Sequence, residues 1–320
     1  MKFATLPNGQ PDGRLHIVSR DLTRATPARA AQTLLAALEN WTELETRLAA
    51  EYAALQQGAG EAFAPSAALA PLPRAWQWLD GSAFDSHGAL MDKVFGMKKE
   101  PYLKPLMYQG VSDTFHAPVS EVPFVSTADG IDFEGEFGVI TDAVPMSADR
   151  AQAAGHIRLI VQINDWSLRK LAPAEMKTGF GWVQAKPACG MAPVAVTPDE
   201  LGPHWRDGRV DLPLHVKWNG KSFGAASGYP MSYGFDELVV HAAYSRRLVA
   251  GTVIGSGTVS NETYREVGSS CIAERRGIEL VDLGEAKTDY MAFGDIVGME
   301  VRLPDGTPVF GELRQTVVKG

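Results

Sequence analysis

The chain has 320 residues, 45% hydrophobic and 21% charged, with Lys plus Arg at 30 and Asp plus Glu at 38 for a formal net charge of −8. An acidic balance argues against non-specific nucleic-acid binding, and the composition is that of a globular protein with enough chain for a sizeable core. Two cysteines, Cys189 and Cys271, make neither a disulfide framework nor a paired zinc motif, which fits a reducing cytoplasm. The N-terminus lacks the apolar core of a secretory signal, and no apolar run approaches the length that spans a bilayer.

Residues 3–6 and 15–18 are short apolar runs separated by Asn8-Gly9 and Asp12-Gly13, a pattern that predicts a small strand unit. Thr26-Pro27 has the form of an N-cap followed by proline at the first helical position. An Ala-rich helix is expected from there to about residue 57, with Leu34, Leu38, Trp41, Leu44, Leu48 and Tyr52 at helical spacing and Asn40 as a dividing point. The Ala/Pro/Gly stretch 58–73 marks a boundary, so the expected domains are 1–75 and 76–320. Beyond it, residues 131–140, 157–164, 192–196, 210–218 and 296–303 are strand candidates, and 148–155 and 236–248 are helix candidates. Long strands do not alternate with long helices, which excludes a doubly wound sheet and predicts an α+β fold with a β-rich core.

Familiar cofactor and nucleophile motifs are absent. Gly255-Ser256-Gly257 does not complete a dinucleotide fingerprint, and there is no phosphate loop, nucleophile elbow or HExxH. The informative segment is Asp132-Phe133-Glu134-Gly135-Glu136-Phe137. In a continuous strand Glu134 and Glu136 share a face, where like charges repel unless a hard divalent cation lies between them. Apolar flanks suggest that the pair is buried, although two solvated glutamates on a strand would have the same pattern. Asp165 ends the apolar run 159–163, where it is either a cleft residue or a helix cap.

The series EGEFGVI, NDWSLR, the lysine of VQAKP and SGTVSN, in this order between Tyr108 and Leu313, resembles the fumarylacetoacetate hydrolase family. The resemblance implies a mixed β-roll catalytic core, a small N-terminal domain and a homodimer. It implies Glu134, Glu136 and Asp165 as ligands of Mg²⁺, with Ca²⁺ and Mn²⁺ as alternatives. Arg169, Thr258 and Tyr108 are then expected to bind substrate, and Lys186 to polarise its oxygens. The implied activity is hydrolysis of a carbon–carbon bond in a β-diketo acid, with fumarylacetoacetate, an intermediate of aromatic amino-acid breakdown, as the first candidate. Alternatives on the same fold are an acylpyruvate hydrolase, a 2-oxo acid hydratase, isomerase or decarboxylase, and a catalytically degenerate binding dimer.

Three positions depart from the family pattern. Fumarylacetoacetase-type members place a metal-binding Asp seven residues before the catalytic His. His116 is the expected base here, but Gln109 stands seven before it, leaving Asp113 as a shifted alternative. The carboxylate partner of the base is expected at Glu274, displaced by about two positions and open to pairing with Arg275 or Arg276 on a surface turn. Ala172 replaces a Gln expected three residues after Arg169. The other histidines, His16, His87, His156, His204, His215 and His241, are read as structural or surface groups, and both cysteines as inert.

Overall fold

The computed structural model describes the backbone of residues 1–95 and 105–320, and side chains outside 91–104. Among the described residues the fold is built on two sheets with helices packed around them, the α+β architecture expected. The larger sheet has 11 strands. Its path runs Glu61–Ala62, Arg24–Pro27, Arg14–Val18, Lys2–Leu6, Ala195–Val196, Ile157–Asn164, Gly135–Thr141, Thr252–Gly255, Gln77–Gly81 and Met107–Gly110, with Gly190–Met191 attached to Ile157–Asn164. The smaller sheet orders Lys221–Ser227, Pro213–Trp218, Ile296–Glu300, Leu313–Lys319 and Val119–Phe124. The N-terminal strands therefore extend the central sheet, through the pairing of Lys2 with Val196 and Phe3 with Ala195.

The two-residue period of the central strands explains the layering. Leu159, Val161 and Ile163 face a core shared with Phe3, Leu15, Leu34, Leu38, Trp41 and Leu48 of the N-terminal segment. Ile160 and, on the neighbouring strand, Phe137 and Val139 face the opposite core, which contains Leu214, Val216, Leu313 and Val317 of the second sheet. A strand covered on both faces is apolar on both, which is why these runs are nearly continuous rather than alternating.

Several local expectations change. Arg24–Pro27 is a strand, so Thr26 is not a helix cap. The first helix is Leu34–Glu39, capped by Thr33, whose hydroxyl accepts the Ala36 N–H at 3.1 Å. Asn40 does divide it from the next, Trp41–Gln56. The run 131–140 is two strands, Ile131–Asp132 and Gly135–Thr141, because the chain leaves the ladder at Phe133-Glu134 to bridge Cys271. The helix expected over 236–248 is Phe235–Ala242. Two helices, Asp85–Phe95 and Ile272–Leu283, were not expected and pack against each other. No helix among the described residues is long and apolar enough to cross a membrane.

Candidate active site

Three carboxylates converge from the central sheet, where Thr252–Gly255 separates the strand of Asp80 from that of Glu136. Asp80 is next to last in Gln77–Gly81, Glu136 is second in Gly135–Thr141, and Asp165 follows Ile157–Asn164. Each offers an oxygen within 4.8 Å of the others, and all three are buried. Backbone without side chains makes room for Asp80. A Cβ on Gly255, its neighbour in register, would lie 2.4 Å from Asp80 Oδ1. Gly257, at φ +77°, donates its N–H to the same oxygen at 3.0 Å. The Gly-Ser-Gly segment thus shapes a carboxylate site rather than a phosphate loop.

The electrostatics of the three acids are unfavourable in isolation. Burial, then the Asp165 charge, pushes the Asp80 carboxyl up to about 8. Burial, then Asp80, Asp165 and Glu134, raises Glu136 well above the usual carboxylate range. Among the described residues no hydrogen-bond donor reaches either Glu136 oxygen. Buried, unpartnered carboxylate oxygens crowded by like charge are a strong motive for a hard divalent cation, and an all-oxygen donor set suits Mg²⁺, Mn²⁺ or Ca²⁺. The residues present fit such an ion.

Glu134 lies outside this close set. Its Oε1 accepts from Ser167 Oγ at 2.9 Å, its Oε2 is 3.0 Å from Lys186 Nζ, and Arg169 Nη2 approaches Oε1 at 2.5 Å. The last contact is a close ion pair rather than an aligned hydrogen bond, since that nitrogen finds no acceptor of proper geometry. Burial acts to raise the Glu134 carboxyl, but Arg169 and Lys186 outweigh it and hold it well below the usual range. Asp165 is bound on both oxygens. Tyr108 Oη donates to Oδ2 at 2.8 Å, Lys186 Nζ to Oδ2 at 2.5 Å, and Cys189 Sγ to Oδ1 at 3.0 Å. Burial alone would lower the Lys186 ammonium, but Asp165 and Glu134 raise it, so Lys186 stays charged between them. Tyr108 also takes the edge of Trp182, with ring centroids 5.0 Å apart.

Glu274 is fully buried in the first turn of Ile272–Leu283, not on a surface turn. Arg275 instead donates to the Phe223 carbonyl and Arg276 to the Thr288 carbonyl. Ser260 Oγ donates to Glu274 Oε1, and His87 Nδ1 lies 3.7 Å from the same oxygen. His87 stands on Asp85–Phe95, tied to the SGTVSN segment by the 2.9 Å contact of Ser86 and Ser260 hydroxyls. Glu134 bridges Cys271, the residue that caps the start of Ile272–Leu283, so the turn bearing Glu274 begins next to the Glu134–Glu136 segment.

His116, the expected base, is held through its backbone beside Cys189, the residue whose thiol donates to Asp165. The His116 backbone joins Gly190 in an isolated bridge, with its N–H on the Cys189 carbonyl at 2.8 Å. Burial lowers its imidazole, and no carboxylate contact to its ring is found among the described residues. Asp113 is exposed, and Gln109 faces Arg246 on the surface. The sequence did carry a signal for the residues missed: the seven-residue spacing that fails at Gln109 and His116 holds at Asp80 and His87. Thr258 is buried in the turn that follows Gly257.

Two family models cover the chain. "Fumarylacetoacetate (FAA) hydrolase C-terminal" matches residues 77–318, and "Fumarylacetoacetase N-terminal domain 2" matches residues 1–74. A 2,4-didehydro-3-deoxy-L-rhamnonate hydrolase from Sphingomonas sp. (strain SKA58) is 24% identical over 158 residues, 48% of this chain and 53% of that protein. The match thus spans about half the length of this curated relative. Among solved structures, the fumarylacetoacetate hydrolase of Exiguobacterium antarcticum superposes with a TM-score of 0.66 at 16% identity, covering 100% of both chains. The maleylpyruvate hydrolase of Sphingobium sp. SYK-6, in complex with manganese(II) and pyruvate, gives a TM-score of 0.66 at 14% identity, again covering 100% of both. With a family model over most of its length and this fold, the chain belongs to the fumarylacetoacetate hydrolase family.

Proposed function

We propose that the protein is a divalent-metal-dependent hydrolase that cleaves a carbon–carbon bond in a β-diketo acid, with fumarylacetoacetate as the first candidate substrate and Mg²⁺ or Mn²⁺ as the ion. The observation that carries this reading is the buried Asp80–Glu136–Asp165 cluster, together with a His87–Glu274 pair whose helix starts at the residue bridging Glu134. Cleavage between two carbonyls needs water delivered to one of them and a leaving carbanion tolerated as an enolate. A divalent ion at Asp80, Glu136 and Asp165, with Glu134 alongside, supplies Lewis acidity toward the substrate oxygens. The chain's own groups do the rest. With Nδ1 turned toward Glu274, His87 keeps Nε2 as the proton acceptor for water, and Glu274 steadies the imidazolium that results. The 3.7 Å separation is one that substrate binding would tighten. Lys186, fixed between Glu134 and Asp165, places positive charge where an oxyanion develops. Arg169 is committed to Asp132 and Glu134, so its part is to hold Glu134 more than to grip substrate. A small-molecule acid as substrate and a homodimeric assembly go with this reading.

The test is direct: purified protein with Mg²⁺ or Mn²⁺ should consume fumarylacetoacetate, followed as loss of diketone absorbance. Absence of turnover there, with turnover of an acylpyruvate, would replace the first reading by the second.

A further inference from the structure

Asp132 is fully buried and belongs neither to the acidic cluster nor to the hydrolytic steps above. Its carboxylate accepts three donors from two separate parts of the chain. Oδ1 takes the Ile272 N–H at 2.7 Å, while Oδ2 takes the Ala273 N–H at 2.9 Å and Arg169 Nε at 2.8 Å. The first two are N–H groups at the start of Ile272–Leu283, which have no partner within the helix. Glu274 is on that same turn, its own N–H held only by the weak acceptor Cys271 Sγ at 3.3 Å. Arg169 continues from Asp132 to Glu134, and Lys186 from Glu134 to Asp165. A continuous series of contacts therefore joins the helix bearing Glu274 to the acidic cluster.

We propose that Asp132 is a positioning residue: by clamping the start of the Glu274 helix onto Arg169, it sets where the His87–Glu274 pair stands relative to the acidic cluster. This rests on the hydrolase reading. A carboxylate is required because the position must accept from three donors at once. An asparagine amide would turn an N–H toward Arg169 or toward the backbone donors, and a serine would reach only part of the set.

The experiment is a set of variants assayed for turnover of fumarylacetoacetate and an acylpyruvate, with Mn²⁺ affinity measured by electron paramagnetic resonance. Asp132→Asn should lower kcat by about 10- to 100-fold, the usual cost of losing an outer-shell support, with KM and Mn²⁺ affinity within about threefold of wild type. In a Glu274→Gln background the same change should cost less than about twofold, because the residue acts through Glu274. Unchanged kcat, or an effect of full size in that background, would overturn the proposal. So would loss of Mn²⁺ binding in both Asp132→Asn and Asp132→Ser, since Asp132 would then serve the fold at large. A wild type that binds Mn²⁺ but turns over neither substrate removes the hydrolase reading, and the positioning role with it. An active wild type with an unaffected Asp132→Asn removes the positioning role alone.

Discussion

The metal-free cluster should make the protein less stable as pH rises, and Asp80→Asn isolates that effect. Asp80 is pushed up to about 8 in the fold, from 3.8 in an unconstrained chain. Between those values the folded state keeps a proton that the unfolded state has lost. Stability from this group is therefore full below about pH 4 and falls as pH rises through 8. One pH unit is worth about 1.4 kcal/mol, so between pH 5 and 8 the loss is on the order of 4 kcal/mol. Asparagine keeps an oxygen for the Gly257 N–H and has nothing to titrate. In EDTA, the stability of Asp80→Asn relative to wild type should rise across this window by up to about that amount, or roughly 5–10 °C in Tm. Relief of repulsion at Glu136 works in the same direction. The assay is thermal unfolding at pH 5, 6, 7 and 8 with EDTA and with excess Mn²⁺. Wild type should gain more from Mn²⁺ at pH 8 than at pH 5, because the ion takes the place of bound protons, and the variant should gain little. Parallel curves for the two proteins in EDTA across this range would refute the account of the cluster.

Three further outcomes follow from the same geometry. His87→Gln should reduce kcat by about 10²–10⁴-fold with Mn²⁺ affinity retained, whereas His116→Gln should stay within a fewfold of wild type; steady-state kinetics of both variants separates the two histidines. Gly255→Ala brings a methyl group to 2.4 Å from both Asp80 Oδ1 and the Trp78 ring, so it should cost about 1–3 kcal/mol in denaturant unfolding and weaken metal binding in calorimetry. Thr33→Ala removes the acceptor for the Ala36 N–H and should cost about 1 kcal/mol in unfolding without altering turnover.

Where the sequence was legible, the signal was local. The strand Ile157–Asn164 follows from its apolar run, and the helix expected at 148–155 is Arg150–His156, with the Asp149 side chain accepting the Gln152 N–H at its start. Glu136 and Asp165 stand out as acids embedded in apolar runs, and Lys186 lies against Asp165. What could not be read depends on pairing across the chain. Thr26-Pro27 has helix-start chemistry, yet pairing of Ala25 with Val18 on one side and Glu61 on the other holds it in a strand. Glu134 and Glu136 look equivalent at a spacing of two, but the bridge to Cys271 breaks the ladder between them and gives them different surroundings. Asp80 sits in QWLDG, and its one mark in the sequence is the seven-residue spacing to His87. It becomes a cluster member only because Gln77–Gly81 lies parallel to Thr252–Gly255, and no local pattern reports a parallel neighbour so distant in sequence.

The charge of the site differs from that of the chain. Asp80, Asp132, Glu134, Glu136 and Asp165 are all buried, and the cations among them are Lys186 and Arg169. Arg169 spans Asp132 and Glu134, and Lys186 spans Glu134 and Asp165, so these three acids are answered by side chains of the protein itself. Asp80 and Glu136 have no such partner, and the deficit they leave is the charge of one divalent ion. In the hydrolase reading, that arrangement explains why an acidic protein can process an acid. The overall charge of −8 counts these buried acids as well, and its exposed part is screened by salt, while Lys186 and Arg169 hold fixed positive charge beside the cluster.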